Sequence, residues 1–415
     1  MTSHGPVPHL PQHFTGPTVL VTLVGTDRAG VSTRLFGVLD AFPLEVIDVE
    51  QLVVRGQLIL SVLVTEPATR DDTDGRDTEG LDDAVTALGP ELGLAVSIER
   101  GTGDNRPRRV GRAQVVVLGA PLLPRAMAAL TEQIRTDGGN IDRIVRMARY
   151  PVTAIRMEVS GADPDVLQAT LARVAYEHGV DVAVQENGIR RHAQRLVVMD
   201  VDSTLIQGEV IEMLAAHAGC EAEVAEVTER AMRGELDFAQ SLHARVAKLE
   251  GVPVSALDDV YASLAYTPGA RTMIRTLKRL GYRFALVSGG FTPIIARIAE
   301  ELDIDYYRAN DLEIADGHLT GRVLGTVVDR AGKAEALREF ADAAAIPIKN
   351  TVAIGDGAND LDMLAAAGLG IAFNAKPTVR DQARTSVNVP YLDTIIYLMG
   401  ITREEVEEAD ASDLS

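Results

Sequence analysis

Apolar and polar positions alternate with a period near two over residues 18–25 (TVLVTLVG), shift to helical spacing over 28–42 (RAGVSTRLFGVLDAF), and return to strand-like runs over 44–54 and 57–65. Side chains two apart share a face of a strand and those three or four apart share a face of a helix, so this stretch predicts strand, helix, strand, strand. Beyond the acidic segment 69–80, a helical pattern over 81–93 and a strand over 94–100 complete a βαββαβ unit. A polar linker (TGDNRPRRVGR) follows, and the same order recurs. It runs as strand 113–119, helix 123–139, strands 140–150 and 152–161, helix 163–179 and strand 180–187. The repeat is one of pattern rather than of residue identity.

From Arg195 the texture changes. The apolar strand LVVMDVD gives way to a long helical block from about Gly208 to Gly251. Next come helix 269–281, strand 282–290, helix 292–303, a hairpin-like stretch 312–325, helix 333–345, strand 350–357 and helix 359–368. Alternating strands and helices imply a parallel sheet with right-handed crossovers, a Rossmann-like α/β core. The expected organisation is a disordered leader over 1–17, one small domain over 18–101 and another over 113–187. A catalytic domain over 195–402 follows, with a helical cap at about 206–268, and the acidic stretch 403–415 is expected as a solvated tail.

Composition narrows the class. A chain of 415 residues exceeds what one core usually supports. The net charge of −20 argues against a nucleic-acid partner, which requires clustered Lys and Arg. No apolar run approaches the roughly 20 residues of a membrane helix. The single cysteine, Cys220, excludes an internal disulfide framework and fits a reducing cytoplasm. The scattered histidines show no ligand spacing.

Three polar clusters sit where apolar strands end: DVDST at 200–204, SGG at 288–290 and GDGAND at 355–360. Ligands of open parallel sheets bind at these carboxyl ends. Asp200 and Asp202 are two apart and can converge on one ligand, an arrangement that a cation makes tolerable. Phosphoryl transfer to a carboxylate needs a nucleophile, a proton source, a cation and donors for the phosphate oxygens. Asp200 is the candidate nucleophile and Asp202 the general acid and base, with Asp200, Asp202 and Asp356 as metal ligands for Mg2+. Asp360 is expected as a supporting acid. Ser288 offers a hydroxyl, Gly289 and Gly290 permit close approach of backbone N–H groups, and Lys333 at a helix start offsets carboxylate–phosphate repulsion.

Together DVDSTL, SGGF, Lys333 and GDGANDLDML resemble the four motifs of the haloacid dehalogenase superfamily of phosphatases, and within it the phosphoserine phosphatases. The resemblance covers about Arg195 to Gly400. It implies hydrolysis of O-phospho-L-serine to L-serine and phosphate through an aspartyl phosphate, the last step of serine biosynthesis. It also implies that the cap residues Glu209, Met232, Phe238 and Arg245 recognise substrate and that Asn359 donates to phosphate. Helical spacing puts Phe238 and Arg245 on one face, where an Arg fork beside a ring suits an α-carboxylate and Glu209 suits the α-ammonium. The paired βαββαβ (ferredoxin-like) units resemble ACT domains, which bind amino acids and often join subunits. This implies a homodimer and an amino-acid effector, with L-serine the economical choice. In the first unit Asp27 and Gly30 are candidate effector contacts, Asp27 serving equally well as a helix cap. The second unit lacks that Asp, and Asn140 and Asp142 are its candidates across an interface. Two other functions remain open: action on another phosphomonoester or a phosphoprotein, and an amino-acid sensor with an inactive phosphatase-like domain.

Overall fold

The computed structural model describes residues 14–66, 80–103, 112–186, 195–232 and 235–412. The expected leader lies mostly outside these residues. The chain divides into two compact units, residues 1–108 and 109–415.

The first unit is β1 (Pro17–Thr26), α1 (Val31–Leu39), β2 (Val46–Val54), β3 (Gln57–Thr65), α2 (Leu81–Leu92) and β4 (Leu94–Thr102). Its four antiparallel strands run in the order β2-β3-β1-β4. The alternation in β1 buries Val19, Val21 and Leu23 beneath both helices and leaves Val24 exposed.

The second unit opens with the same topology: β5 (Arg112–Gly119), α3 (Pro124–Thr136), β6 (Asn140–Ala148), β7 (Thr153–Ser160), α4 (Pro164–His178) and β8 (Asp181–Glu186), in the order β6-β7-β5-β8. Here both sheet faces are covered. Val115 and Val117 pack under α3 and α4, while Val116, Leu118 and Ala183 belong to the core of the domain that follows.

That domain begins with β9 (Leu196–Met199), whose four side chains are all fully buried. The helices α5 (Val210–Ala218), α6 (Glu221–Met232), α7 (Phe238–Ala247) and α8 (Ser255–Ser263) form the cap region. The chain continues through α9 (Ala270–Arg279), β10 (Arg283–Phe291), α10 (Thr292–Glu301), the hairpin β11 (Tyr306–Ala315) and β12 (His318–Leu324), and α11 (Arg330–Ala343). It ends with β13 (Thr351–Gly355), α12 (Leu361–Ala366), β14 (Leu369–Phe373), α13 (Pro377–Arg380), β15 (Thr385–Val387), α14 (Ile395–Leu398) and α15 (Arg403–Ser412). The stretch expected as a solvated tail is therefore helical through Ser412. Glu405 caps its start by accepting from the Thr402 N–H, and Arg403 donates to the Tyr150 carbonyl at 2.7 Å.

The seven strands are ordered β12-β11-β10-β9-β13-β14-β15, with only β12 antiparallel to its neighbour. The chain proceeds from central β9 to β10 on one side and later to β13 on the other. The carboxyl ends of these three adjacent strands form the switch point where such sheets bind ligands. Among the described residues no helix is long and apolar enough to cross a membrane.

Candidate active site

The chain leaves β9 through an irregular turn over Val201–Leu205, in which Ser203 adopts φ +57°. A left-handed conformation in a non-glycine residue is costly and persists only where its surroundings over-determine it. Here the Ser203 N–H donates to the Gly208 carbonyl at 2.9 Å, and Thr267 Oγ1 donates to the Thr204 carbonyl at 2.7 Å. The turn separates the two aspartates by environment.

Asp200 is buried beside Lys333, whose Nζ lies 2.8 Å from Asp200 Oδ1 and 2.7 Å from Asp360 Oδ1. Lys333 is completely buried in the first turn of α11, and Asp329 caps that turn by accepting from the Gly332 N–H at 2.8 Å. Burial alone would lower the Lys333 pKa, but the two carboxylates hold it above its ordinary value. Burial, and then the Asp360 charge, push Asp200 upward against the pull of Lys333.

Carboxylate oxygens of Asp200, Asp356 and Asp360 all lie within 4.8 Å of one another. Three clustered hard oxygen donors, with one ammonium shared by two of them, fit a divalent cation of the magnesium type. Burial, and then the Asp360 charge, raise Asp356 to about 6. Thr204 Oγ1 donates to Asp356 Oδ1 at 3.0 Å and ties the first motif to the last. The sequence reading placed Asp200, Asp202 and Asp356 at the cation and Asp360 in support; the carboxylates that the folded chain gathers are those of Asp200, Asp356 and Asp360. The Asp202 carboxylate is otherwise engaged, because the turn directs it toward the cap.

Asp202 Oδ1 accepts from the Val210 N–H at 2.8 Å and Oδ2 accepts from the Ser288 hydroxyl at 3.1 Å. Burial raises its pKa, and the neighbouring Glu209 charge adds to the effect. A carboxyl so placed retains a proton more readily than an exposed one, as a general acid must. Ser288 in turn accepts from the Gly290 N–H at 2.8 Å. A Cβ on Gly290 would lie 3.0 Å from Asp202 Oδ2, and one on Gly289 would lie 3.1 Å from the Phe238 ring. The buried Asn310 donates to the Gly289 carbonyl at 2.8 Å and fixes the loop.

These groups face a pocket of about 460 Å³ lined by Asp200, Asp202, Gly289, Gly290 and Asn359 on the core side and by Glu209, Phe238 and Arg245 on the cap side. Asp237 begins α7 with a reciprocal cap to Gln240, which directs Phe238 and Arg245 from one helix face into the pocket. Arg245 lies 3.5 Å from Glu209, and its Nε is buried with no hydrogen-bond partner. Burial raises the pKa of Glu209. The Met232 side chain falls outside the described residues.

Sequence reasoning did not single out Thr204, Asn310, Lys376 or Thr378. Thr204 belonged to the motif already noticed. Lys376 and Thr378 line the pocket, and the Lys376 charge is felt at Glu209. The signal for Lys376 was a lysine preceding Pro377 where a helix starts after an apolar strand. The candidate effector residues Asp27 and Gly30 lie on an exposed loop, and α1 is preceded by Gly30 with no side-chain cap, so Asp27 does not serve as its cap. Asn140 Nδ2 donates to Asp142 Oδ1 at 2.8 Å, and the Ser160 hydroxyl donates to the same oxygen at 3.0 Å.

The core fold and its carboxylate cluster define the class: residues 197–365 match the family of haloacid dehalogenase-like hydrolases, and residues 17–99 and 112–185 match ACT domains. A phosphoserine phosphatase of Streptomyces coelicolor is 59% identical over 95% of this chain and 95% of its own. One of Mycobacterium tuberculosis is 51% identical over 95% of this chain and 96% of its own. The solved structure of a probable phosphoserine phosphatase from Vibrio cholerae superposes with a TM-score of 0.56 at 37% identity, covering 69% of this chain and 86% of that one. The chain belongs to the phosphoserine phosphatase family.

Proposed function

We propose that the chain hydrolyses O-phospho-L-serine to L-serine and phosphate through a phosphorylated Asp200. The observation that carries this reading is the division of one pocket into two chemistries. On the core side stand a buried carboxylate paired with Lys333 and a second, proton-retaining carboxyl, Asp202. On the cap side stand Arg245, with an unpartnered Nε, and Glu209, suited to the α-carboxylate and α-ammonium of an amino acid.

An Asp200 oxygen attacks phosphorus as the bond to the serine oxygen breaks, and Asp202 delivers its proton to that oxygen. Water then attacks the phosphorylated Asp200, Asp202 takes the water's proton, and the phosphorus–Asp200 bond breaks to release phosphate. Lys333, the Ser288 hydroxyl and the Gly289 N–H bind the phosphate oxygens, and Gly290 leaves room for their close approach. Asp200, Asp356 and Asp360 would hold Mg2+, which when bound supplies positive charge against the phosphate and the nucleophile.

Regulation by L-serine at the loop carrying Asp27 and Gly30 belongs to the same reading. The uncapped N–H groups of α1 offer donors to a carboxylate there. So does a homodimer through the first unit, where edge strand β2 leaves Val46, Val49, Leu52, Val53 and Val54 exposed.

The test is steady-state release of phosphate from phosphoserine, phosphothreonine and phosphoglycolate by the native chain, Asp200→Asn and Arg245→Ala. Asp200→Asn should abolish turnover and phosphoenzyme formation. Arg245→Ala should raise KM for phosphoserine by about 10- to 100-fold, the worth of a charge-assisted contact. Retained hydrolysis in the first variant would refute the mechanism, and equal native rates on all three substrates would refute the amino-acid assignment.

A further inference from the structure

A second cleft, of about 730 Å³, lies within residues 109–415 between α4 and β8 on one side and α13 and β15 on the other. Both charge signs line it: Arg173, Arg380 and Arg384 with Asp181 and Asp381. Their commitments differ. Asp181 is taken up by Asn388, whose backbone N–H donates to Oδ2 at 2.8 Å and whose side-chain amide donates to Oδ1. Asp381 and Arg384 are exposed, and Arg173 pairs with the exposed Glu177 at 3.1 Å. Arg380 donates to Asn388 Oδ1 at 3.1 Å and lies 5.6 Å over the Tyr176 ring, but its Nε is buried without a hydrogen-bond partner.

The remaining wall is apolar, with Leu118, Ala172, Val182 and Val389 beside the Tyr176 ring. Guanidinium forks match a carboxylate bidentately, and a free carboxylate beside them suits an ammonium. The volume and the apolar wall exceed what a hydroxymethyl side chain would fill.

The cleft also has a route to the active site. The four-residue helix α13 and its flanks present Lys376, Thr378 and Val379 to the active-site pocket and Arg380, Asp381 and Arg384 to the cleft. A ligand that draws on Arg380 acts on the helix that carries Thr378 and follows Lys376.

We propose that this cleft binds an α-amino acid with an apolar side chain, its carboxylate held by Arg173, Arg380 and Arg384 and its ammonium by Asp381, and that occupancy is transmitted through α13 to substrate binding. The site is distinct from the Asp27–Gly30 loop. The transmission rests on the phosphoserine hydrolysis proposed above, whereas the binding does not.

The test is isothermal titration of the full 415-residue chain with L-leucine, L-phenylalanine and L-serine, repeated on Arg173→Gln/Arg384→Gln and on Asp27→Ala, with KM for phosphoserine measured at saturation. Leucine or phenylalanine should bind, with affinity about tenfold or more lower in the double variant, the worth of lost charge-assisted contacts, and unchanged in Asp27→Ala. KM in the native chain should move by about threefold or more, within the usual range of coupling, and should stay fixed in the double variant. No heat from either apolar amino acid, tighter binding of serine than of both in Asp27→Ala, undiminished leucine and phenylalanine affinity in the double variant, or loss of their binding in Asp27→Ala would overturn the site. Cleft binding with an unmoved KM would overturn the transmission. A chain that binds leucine but fails to hydrolyse phosphoserine would refute the proposed activity and leave the cleft standing, because the titration needs no turnover.

Discussion

At the residue scale, two aspartates of one motif receive opposite environments. Asp200 faces Lys333 and two further carboxylates, whereas Asp202 faces a hydroxyl, one backbone N–H and the cap. The difference predicts a specific failure in Asp202→Asn. Phosphoserine turnover should fall by about 10²- to 10⁴-fold, the usual contribution of a positioned acid. A substrate with a leaving group that needs no proton, such as p-nitrophenyl phosphate, should still phosphorylate Asp200. A rapid-quench burst of nitrophenolate followed by slow turnover is the expected record. Equal loss of burst and turnover would remove Asp202 from the leaving-group step. The candidate residues for this chemistry were legible in the sequence because three polar clusters end apolar strands and Lys333 opens a helix. The position of Asp360 was not, since four residues along a chain do not say which way a carboxyl turns. It turns inward because the Gly357 N–H donates to its Oδ2 at 2.9 Å and Lys333 reaches its Oδ1, at a place where a Cβ on Gly355 would lie 2.4 Å from its Cγ.

At the element scale, β8 and β15 meet through Asp181 and Asn388 rather than through a continued ladder. Burial, opposed by the Asn388 hydrogen bonds, raises Asp181 from an ordinary 3.8 to about 6. A folded-state pKa above the unfolded one favours the protonated, folded form. The stability this contributes is complete below about pH 3.8 and is lost as pH rises through about 6, a change of about 3 kcal/mol at 1.36 kcal/mol per unit. Asp181→Asn carries no titrating proton there. The stability of the native chain relative to this variant should therefore decline between pH 4 and pH 7, as read by urea unfolding at a series of pH values. A constant difference across that range would show that Asp181 does not titrate in the fold. The cap was legible as one helical block in which residues 237–251 showed helical periodicity, and Asp237 capping α7 fixes the start of the helix that presents Phe238 and Arg245 to the pocket. The short α13 carried too few residues for any period to be read.

At the scale of the whole molecule, the two ACT domains share a topology and differ in what covers them. In β1 the polar Thr18 and Thr22 interrupt the apolar run, whereas β5 places Val115 to Leu118 without a break, and that continuity matches burial on both faces. Deleting residues 1–108 should leave a folded, active remainder. Deleting through residue 190 should strip the cover from the core that Val116, Leu118 and Ala183 share, lowering the thermal midpoint and promoting aggregation. Calorimetry and light scattering on the two truncations check this, and the mass of the 109–415 piece against the full chain reads whether the first unit carries dimerisation. Equal midpoints for both truncations would mean that the second ACT domain is merely tethered. By itself the sequence determined the repeated βαββαβ units, the parallel core and the catalytic motifs, because periodicity and strand-end chemistry are local properties. Only the tertiary structure decided which carboxylates gather, that Asp202 turns to the cap, and that the second ACT domain is built onto the core with a cleft at the seam. Those outcomes depend on contacts between residues far apart in the chain, such as the 2.8 Å hydrogen bond from the Asn388 N–H to Asp181, which no local pattern records.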